Sequence, residues 1–157
     1  MADAKCIGSL CPPSLDALNT PKFVIRAGII PYRPPTNTTP GRLFLGVKEG
    51  KYTDFGGGCK GSKLELPFDC AVREMKEETG SSIGGSSNIT HIFVSGKNKP
   101  HQLILLVKTD TFEVPKKIPQ GELEKVVSMT FAEAKRVPRR LLHDSLKPIY
   151  DNLVAII

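Results

Sequence analysis

Tryptophan is absent from the 157 residues, aromatics make up 6%, and there are only three histidines and four cysteines. So few aromatic rings leave little surface on which successive bases of a single-stranded nucleic acid could stack. His91, His101 and His143 are scattered, and none pairs legibly with a serine or cysteine as base and nucleophile. Neither a G-x-S-x-G elbow nor a Walker A loop occurs. No apolar run approaches the ~20 residues a helix needs to cross a bilayer, so no membrane partner is expected. The N-terminal MADAKCIGSLCPP has no charged stretch leading into an apolar one, as a secretory leader would. A cytoplasmic protein is expected, with the nucleus as the alternative, and there Cys6, Cys11, Cys59 and Cys70 should be reduced. Cys6-x4-Cys11 alone is too bare a pattern for zinc.

The chain does have enough apolar residues for one core, at 39% of the composition, and its length suits a single domain. Residues 1–20 read as a flexible tail and 21–157 as the domain. FVIRAGIIPY, from Phe23 to Tyr32, reads as a long central strand, and RPPTNTTPG as a loop before a strand from Leu43 to Lys48. Ile89 to Ser95 and Gln102 to Lys108 have the length and β-branched content of paired strands, and another strand is expected near 126–131. Helical residues follow from Phe131. Pro138 can open a last helix whose apolar residues run from Leu141 to Ile156, with a kink or split at Pro148. No internal repeat is present.

Between these strands lies GGGCKGSKLELPFDCAVREMKEETG, from Gly56 to Gly80, where a glycine-rich loop runs into a helix rich in carboxylates. Pro67 suits the first turn, because its missing N–H would be unpaired there, and Thr79-Gly80 is a C-terminal stop. Phe68, Ala71, Val72 and Met75 fall on one stripe that can pack on a core, while Glu74, Glu77 and Glu78, at i, i+3 and i+4, share a neighbouring one. Carboxylates this close raise one another's pKa unless a cation sits among them. Magnesium meets that demand, since it takes oxygen ligands and bridges protein carboxylates to substrate phosphates. A Glu-Glu pair balanced by Arg73 and Lys76 is ordinarily just a solvated face, so the wider spacing matters.

That spacing is Glu65, seven residues, then Arg73-Glu74-Met75-x-Glu77-Glu78-x-Gly80, and it resembles the box of the Nudix hydrolase family, G-x5-E-x7-R-E-U-x-E-E-x-G-U with U aliphatic. Every charged position matches. The opening glycine is replaced by Cys59 and the closing aliphatic residue by Ser81. The resemblance implies an α/β fold, a Nudix-type α/β/α sandwich with a mixed central sheet. It implies Mg2+ as cofactor, with Mn2+ able to substitute. Glu77 and Glu78 would be the principal ligands, Glu74 a further ligand or the base, and the Cys59 backbone carbonyl another ligand. Arg73 would hold the carboxylates in place through Glu65 or Glu77. A further glutamate before the last strand, Glu122 with Glu124 as alternative, would complete the catalytic and metal-binding set.

The activity implied is that of a metal-dependent pyrophosphohydrolase, in which water attacks phosphorus in a nucleoside diphosphate linked to another moiety. The alternatives are an RNA 5′-end or diphosphoinositol polyphosphate hydrolase, and a non-catalytic nucleotide-binding module. The substrate-binding candidates are Gly57 and Gly58 of the loop, Arg26 on the first long strand, and Tyr52 and Phe55, on which a purine could stack, although core packing suits Phe55 better. A net charge of +6 fits a small phosphorylated, nucleotide-derived substrate, and it keeps RNA open as a partner. The basic residues gather at Lys97-Asn-Lys99, between Lys108 and Lys117, and between Lys135 and Arg140.

Overall fold

The computed structural model describes residues 4–8, 11, 24–61, 64–83, 86–96 and 101–157. Eight strands form one sheet: β1 (Lys5–Ile7), β2 (Arg26–Arg33), β3 (Arg42–Lys48), β4 (Lys51–Thr53), β5 (Phe55–Gly58), β6 (Ile89–Ser95), β7 (Gln102–Lys108) and β8 (Lys125–Thr130). The main path runs β1-β6-β7-β2-β3-β4, with β5 added to β2 and β8 to β3. β2 pairs parallel with β7 and β1 parallel with β6, while the other pairings are antiparallel, so the sheet is mixed. Helix α1 (Pro67–Thr79) packs on one face; α2 (Phe131–Lys135) and α3 (Tyr150–Ile156) pack on the other. This is the expected α/β/α sandwich.

Alternation along the strands sorts the core into two layers. Ala27, Ile29, Leu103, Leu105 and Val107 join Cys70, Ala71 and Met75 of α1, whereas Ile30, Ile104, Leu106 and Phe93 join Ala134, Tyr150 and Leu153. Strands buried on both faces explain why IIP and LILLV read as continuous apolar runs. Full burial of one such side chain stabilises by about 1.5–3 kcal/mol, so both layers are needed to hold a chain of this size.

Helix α1 has the limits its sequence predicts. Pro67 opens it, Leu66 at the N-cap offers no side-chain cap, and Gly80 closes it at φ 78° with its N–H donating to the Lys76 carbonyl at 2.8 Å. Its buried face is turned slightly from the expected stripe: Cys70, Ala71, Met75 and Thr79 are buried, while Phe68 and Val72 are only half-buried.

Four expectations need correcting. Lys5–Ile7, read as tail, pairs in register with His91, Ile92 and Phe93 at the edge of the sheet; most of the rest of 1–20 lies outside the described residues, as does Phe23. The glycine stretch forms strand β5 despite its poor strand propensity, because Gly56 lies so close to β2 that a Cβ would meet the Ala27 carbonyl oxygen at 2.6 Å. Pro138 opens only a 3-10 turn, Arg139–Leu141. Leu142 is extended and bridges to Tyr52, the His143 N–H donates to the Tyr52 carbonyl at 2.8 Å, and helix resumes only at Tyr150, beyond Pro148.

The fourth correction concerns the cysteines, all of which are paired, as Cys6–Cys11 and Cys59–Cys70. The fold brings their Cα atoms to 6.0 and 5.2 Å, within bridging range. The expectation of reduced thiols is therefore not met. No helix among the described residues is long and apolar enough to cross a membrane.

Candidate active site

Arg73 organises the carboxylates. One turn into α1, it donates from Nε to Glu65 Oε2 at 2.7 Å and from Nη2 to Glu65 Oε1 at 2.9 Å, a two-point grip that only a planar guanidinium can make. Nη1 reaches Glu74 at 3.0 Å and both oxygens of Glu77 at 3.1 and 3.2 Å, and Nη2 also donates to the Gly58 carbonyl at 3.0 Å. The sequence offered Glu65 or Glu77 as its partner; the structure gives it both. The Arg73 guanidinium holds the Glu65 carboxyl down at about 2, and these same contacts keep Arg73 firmly protonated.

The helix faces the glycine strand across a cleft of about 540 Å³. Gly56, Gly57 and Gly58 form one wall, Glu74, Glu77 and Glu78 a second, and Pro119 to Leu123, including Glu122, a third. At Gly57 a Cβ would stand 2.5 Å from the Glu74 carboxylate, so only glycine lets the loop lie this close to the helix. Glu122 lines the cleft and accepts from Lys48 Nζ at 2.7 Å, which lowers its pKa. The alternative, Glu124, is turned away to accept the Gly50 N–H at 3.0 Å and steady the β3–β4 turn.

Two of the helix glutamates resist ionisation. Burial raises the Glu74 carboxyl, with Arg73 opposing. Burial first, and then the neighbouring Asp54 and Glu74 charges, push Glu78 up to about 8. Glu78 Oε1 is buried and, among the described residues, has no hydrogen-bond partner. A buried oxygen without a donor, set among other carboxylates, is what a bound hard cation would satisfy; the donor set is all oxygen, as magnesium and manganese prefer. The residues present therefore fit the group.

Asp54 is the member of this network that the sequence reading missed. It lies between β4 and β5 with its side chain fully buried, accepts from Arg26 Nη1 and Nη2 at 2.9 and 3.1 Å, and takes the Ser145 hydroxyl at 2.8 Å. The only signal in the sequence is an acid among strand residues directly before the glycine run, TDFGGG. Arg26 is thus committed to Asp54 and to Gln102, at 3.3 Å, and does not line the cleft.

Three other candidates lie away from the cleft. Phe55 is fully buried, its ring 6.2 Å from that of Phe112, because its position on β5 points into the α1-side core; no base can stack on it. Tyr52 faces the opposite layer and lines a separate cavity with Arg136 and Pro138. Cys59 is not on the cleft wall, and its carbonyl accepts the Gly61 N–H at 3.0 Å. The basic Lys135–Arg140 run belongs to that opposite side, and Lys97 to Lys99 lie outside the described residues.

Neither a protein-family model nor a curated protein matches the sequence. Solved structures do match the fold. A Nudix hydrolase from M. smegmatis superposes with a TM-score of 0.57 at 17% identity, over 83% of each chain. The NUDIX domain of Shewanella oneidensis NrtR, complexed with ADP ribose, gives 0.56 at 13% identity, over 86% of this chain and 88% of that one. A C. elegans Ap4A hydrolase in a binary complex gives 0.53 at 18% identity, over 85% and 96%. At these identities the likeness concerns architecture: this chain has the Nudix hydrolase fold.

Proposed function

We propose that the protein is a metal-dependent hydrolase of phosphoanhydride bonds, acting on a nucleoside diphosphate linked to another group, with water as nucleophile. The observation that carries this reading is that Glu74, Glu77, Glu78 and Glu122 line one cleft, with Glu78 Oε1 buried and unpartnered among the described residues. Burying Glu78 beside Asp54 and Glu74 costs solvation that a bound cation would offset. Both Ap4A and ADP ribose, found in the names of fold neighbours, contain a nucleotide joined through a phosphoanhydride to a further group, which supports this substrate class.

Glu77, Glu78 and Glu122 would hold Mg2+ or Mn2+, with Glu74 beside them. When bound, the ion supplies charge neutralisation at phosphate oxygens and acidifies water. Glu74, with its carboxyl raised by burial, takes the proton of the attacking water as the new P–O bond forms and the anhydride P–O bond breaks. Arg73 keeps Glu74 and Glu77 apart and oriented, and the side-chain-free Gly57 and Gly58 leave room for phosphate against the backbone. Phosphoryl transfer asks little covalent help of the protein, so this positioning is its main contribution.

The test is a panel of nucleoside triphosphates, nucleotide sugars, dinucleotides, diphosphoinositols and capped RNA, each with Mg2+, Mn2+ or chelator. Metal-dependent release of phosphate or nucleotide from the nucleoside diphosphate derivatives is expected, and Glu74→Gln should lose turnover while still binding Mn2+. Hydrolysis confined to capped RNA would move the assignment to RNA ends. Tight nucleotide binding, unaffected by metal and without turnover of any substrate, would instead make the protein a binding module.

A further inference from the structure

We propose that Cys59–Cys70 is a redox-modification site: a dithiol opens it by thiol–disulfide exchange, and its opening loosens the glycine wall of the cleft from α1 and weakens the grip on the metal. The inference rests on the proposed function for its consequence in catalysis, but not for its chemistry.

The pair spans the interface that shapes the cleft. Cys59 directly follows the wall residue Gly58, and its N–H is held by the Ile25 carbonyl at 2.9 Å. Cys70 lies in the first turn of α1, three and four residues before Arg73 and Glu74, so it shares their side of the helix. Its sulfur is 3.7 Å from the Gly57 carbonyl oxygen. The bridge therefore runs alongside a polar tie of loop to helix, the 3.0 Å bond from Arg73 to the Gly58 carbonyl. With one strut covalent, the 2.5 Å clearance a Cβ at Gly57 would have from Glu74 is fixed; with it cut, the loop is free to draw back from the carboxylates.

Exposure decides the direction of attack. Cys70 is fully buried, whereas Cys59 is half-buried. A dithiol thiolate reaches the Cys59 sulfur, the Cys59–Cys70 bond breaks, and Cys70 leaves as a thiolate that takes up a proton. The second thiol of the reagent then attacks the mixed disulfide and releases Cys59. Two electrons and two protons pass to the protein, and the reagent becomes its own disulfide; a disulfide of the same class reverses the reaction. Glu65 lies within 4.8 Å of both sulfurs, but its two oxygens are already held by Arg73 at 2.7 and 2.9 Å, so the opened pair gains no free third ligand for a metal of its own.

The experiment uses the full chain with Cys6→Ser and Cys11→Ser, which leaves one bridge, and reads thiols by alkylation and mass spectrometry, Mn2+ binding by electron paramagnetic resonance, and turnover. Treatment with a millimolar dithiol should expose two alkylatable cysteines and raise the Mn2+ Kd roughly tenfold, the low end of what losing an outer support of a metal site does. In the wild-type background, Cys70→Ser should show the weakened Kd with or without dithiol. If that variant fails to fold, chemical reduction of the double variant still decides the matter. An unchanged Kd after full reduction, a bridge that resists the dithiol, or free thiols in protein purified without reductant would each overturn the proposal. A redox-dependent Kd without turnover of any substrate would count against the hydrolase reading and leave the switch standing; turnover indifferent to reduction would do the reverse.

Discussion

On the side of the sheet covered by α2 and α3, polar groups close on one another. Thr130 caps α2 by accepting the Glu133 N–H at 3.1 Å, Glu133 returns the bond to the Thr130 N–H at 2.9 Å, and the Tyr150 hydroxyl donates to the Ala134 carbonyl at 2.7 Å. On the side covered by α1, one guanidinium serves Glu65, Glu74, Glu77 and Gly58, while Glu78 Oε1 has no partner. The first layer is locally consistent at every level. The second departs from that consistency at the cleft, where an added ligand has something to gain. Asp54 connects the two, its carboxylate reaching Arg26 beside the cleft and Ser145 in the C-terminal segment.

The strongest way to break this contrast is Glu78→Gln. If the unpartnered oxygen exists to hold a cation, turnover falls by roughly a hundred- to a thousandfold, the scale of losing one group that stabilises developing charge. The metal-free fold should not suffer, because an amide carries no ionisation penalty in that buried place. A variant that melts well below wild type in chelator, or one that keeps most of its activity, would show that Glu78 is an ordinary structural residue.

Next in size is Arg73→Lys. A lysine retains the charge but cannot grip Glu65 at two points while also reaching Glu74 and Glu77. With Glu65 and Glu74 mostly buried and Glu77 discounted for its 55% exposure, the loss should be about 2 kcal/mol by denaturant melting, together with a weaker Mn2+ site. Wild-type stability in the variant would mean the clamp is only a surface network.

Acidity separates the layers in a third way, because the cleft holds carboxyls displaced in opposite directions. Glu78 is raised from 4.5 to about 8, so its protonated form favours the fold; that contribution is complete below about pH 4.5 and is lost as pH rises through about 8. Glu65 is lowered from 4.5 to about 2, so its contribution is complete above about pH 4.5 and is lost as pH falls through about 2. In chelator, the wild-type melting temperature should therefore drop by a few degrees more than that of Glu78→Gln between pH 6 and 9. Mn2+ should restore the difference most at the alkaline end, where the carboxylate is already free of its proton. Parallel melting curves for the two proteins would remove the case for a strained carboxyl at this position.

Much of the layered plan was legible because it depends on neighbours in sequence. The limits of α1 follow from Pro67 and Thr79-Gly80, and the strands Ile89–Ser95 and Gln102–Lys108 from their length and β-branched content. Spacing alone also brought Glu74, Glu77 and Glu78 to one side of the helix. The misreadings share a different cause: each turned on a partner distant in the chain. Lys5–Ile7 is a strand only because β6 offers an edge, and FGGG is one only because β2 lies close enough to exclude a Cβ. Leu142 is held extended by Tyr52, and Asp54 gains its place only through Arg26 and Ser145. Periodicity likewise could not say that Cys59 meets Cys70.

The gentlest probe is Tyr150→Phe, which tests whether the consistent layer is independent of the cleft. Burial raises this phenol to about 12, so it is a neutral donor at any working pH and its loss removes one bond and no charge. The Ala134 carbonyl would still accept the Val137 N–H at 3.3 Å, so it is not left bare, and the cost should stay near about 1 kcal/mol. Turnover and Mn2+ affinity should hold within about twofold, since deletions at distant sites with no shared partner act independently. A larger fall in either, at unchanged thermal stability, would mean that α3 reaches the cleft through Ser145 and Asp54, and the two faces would have to be treated as one coupled unit.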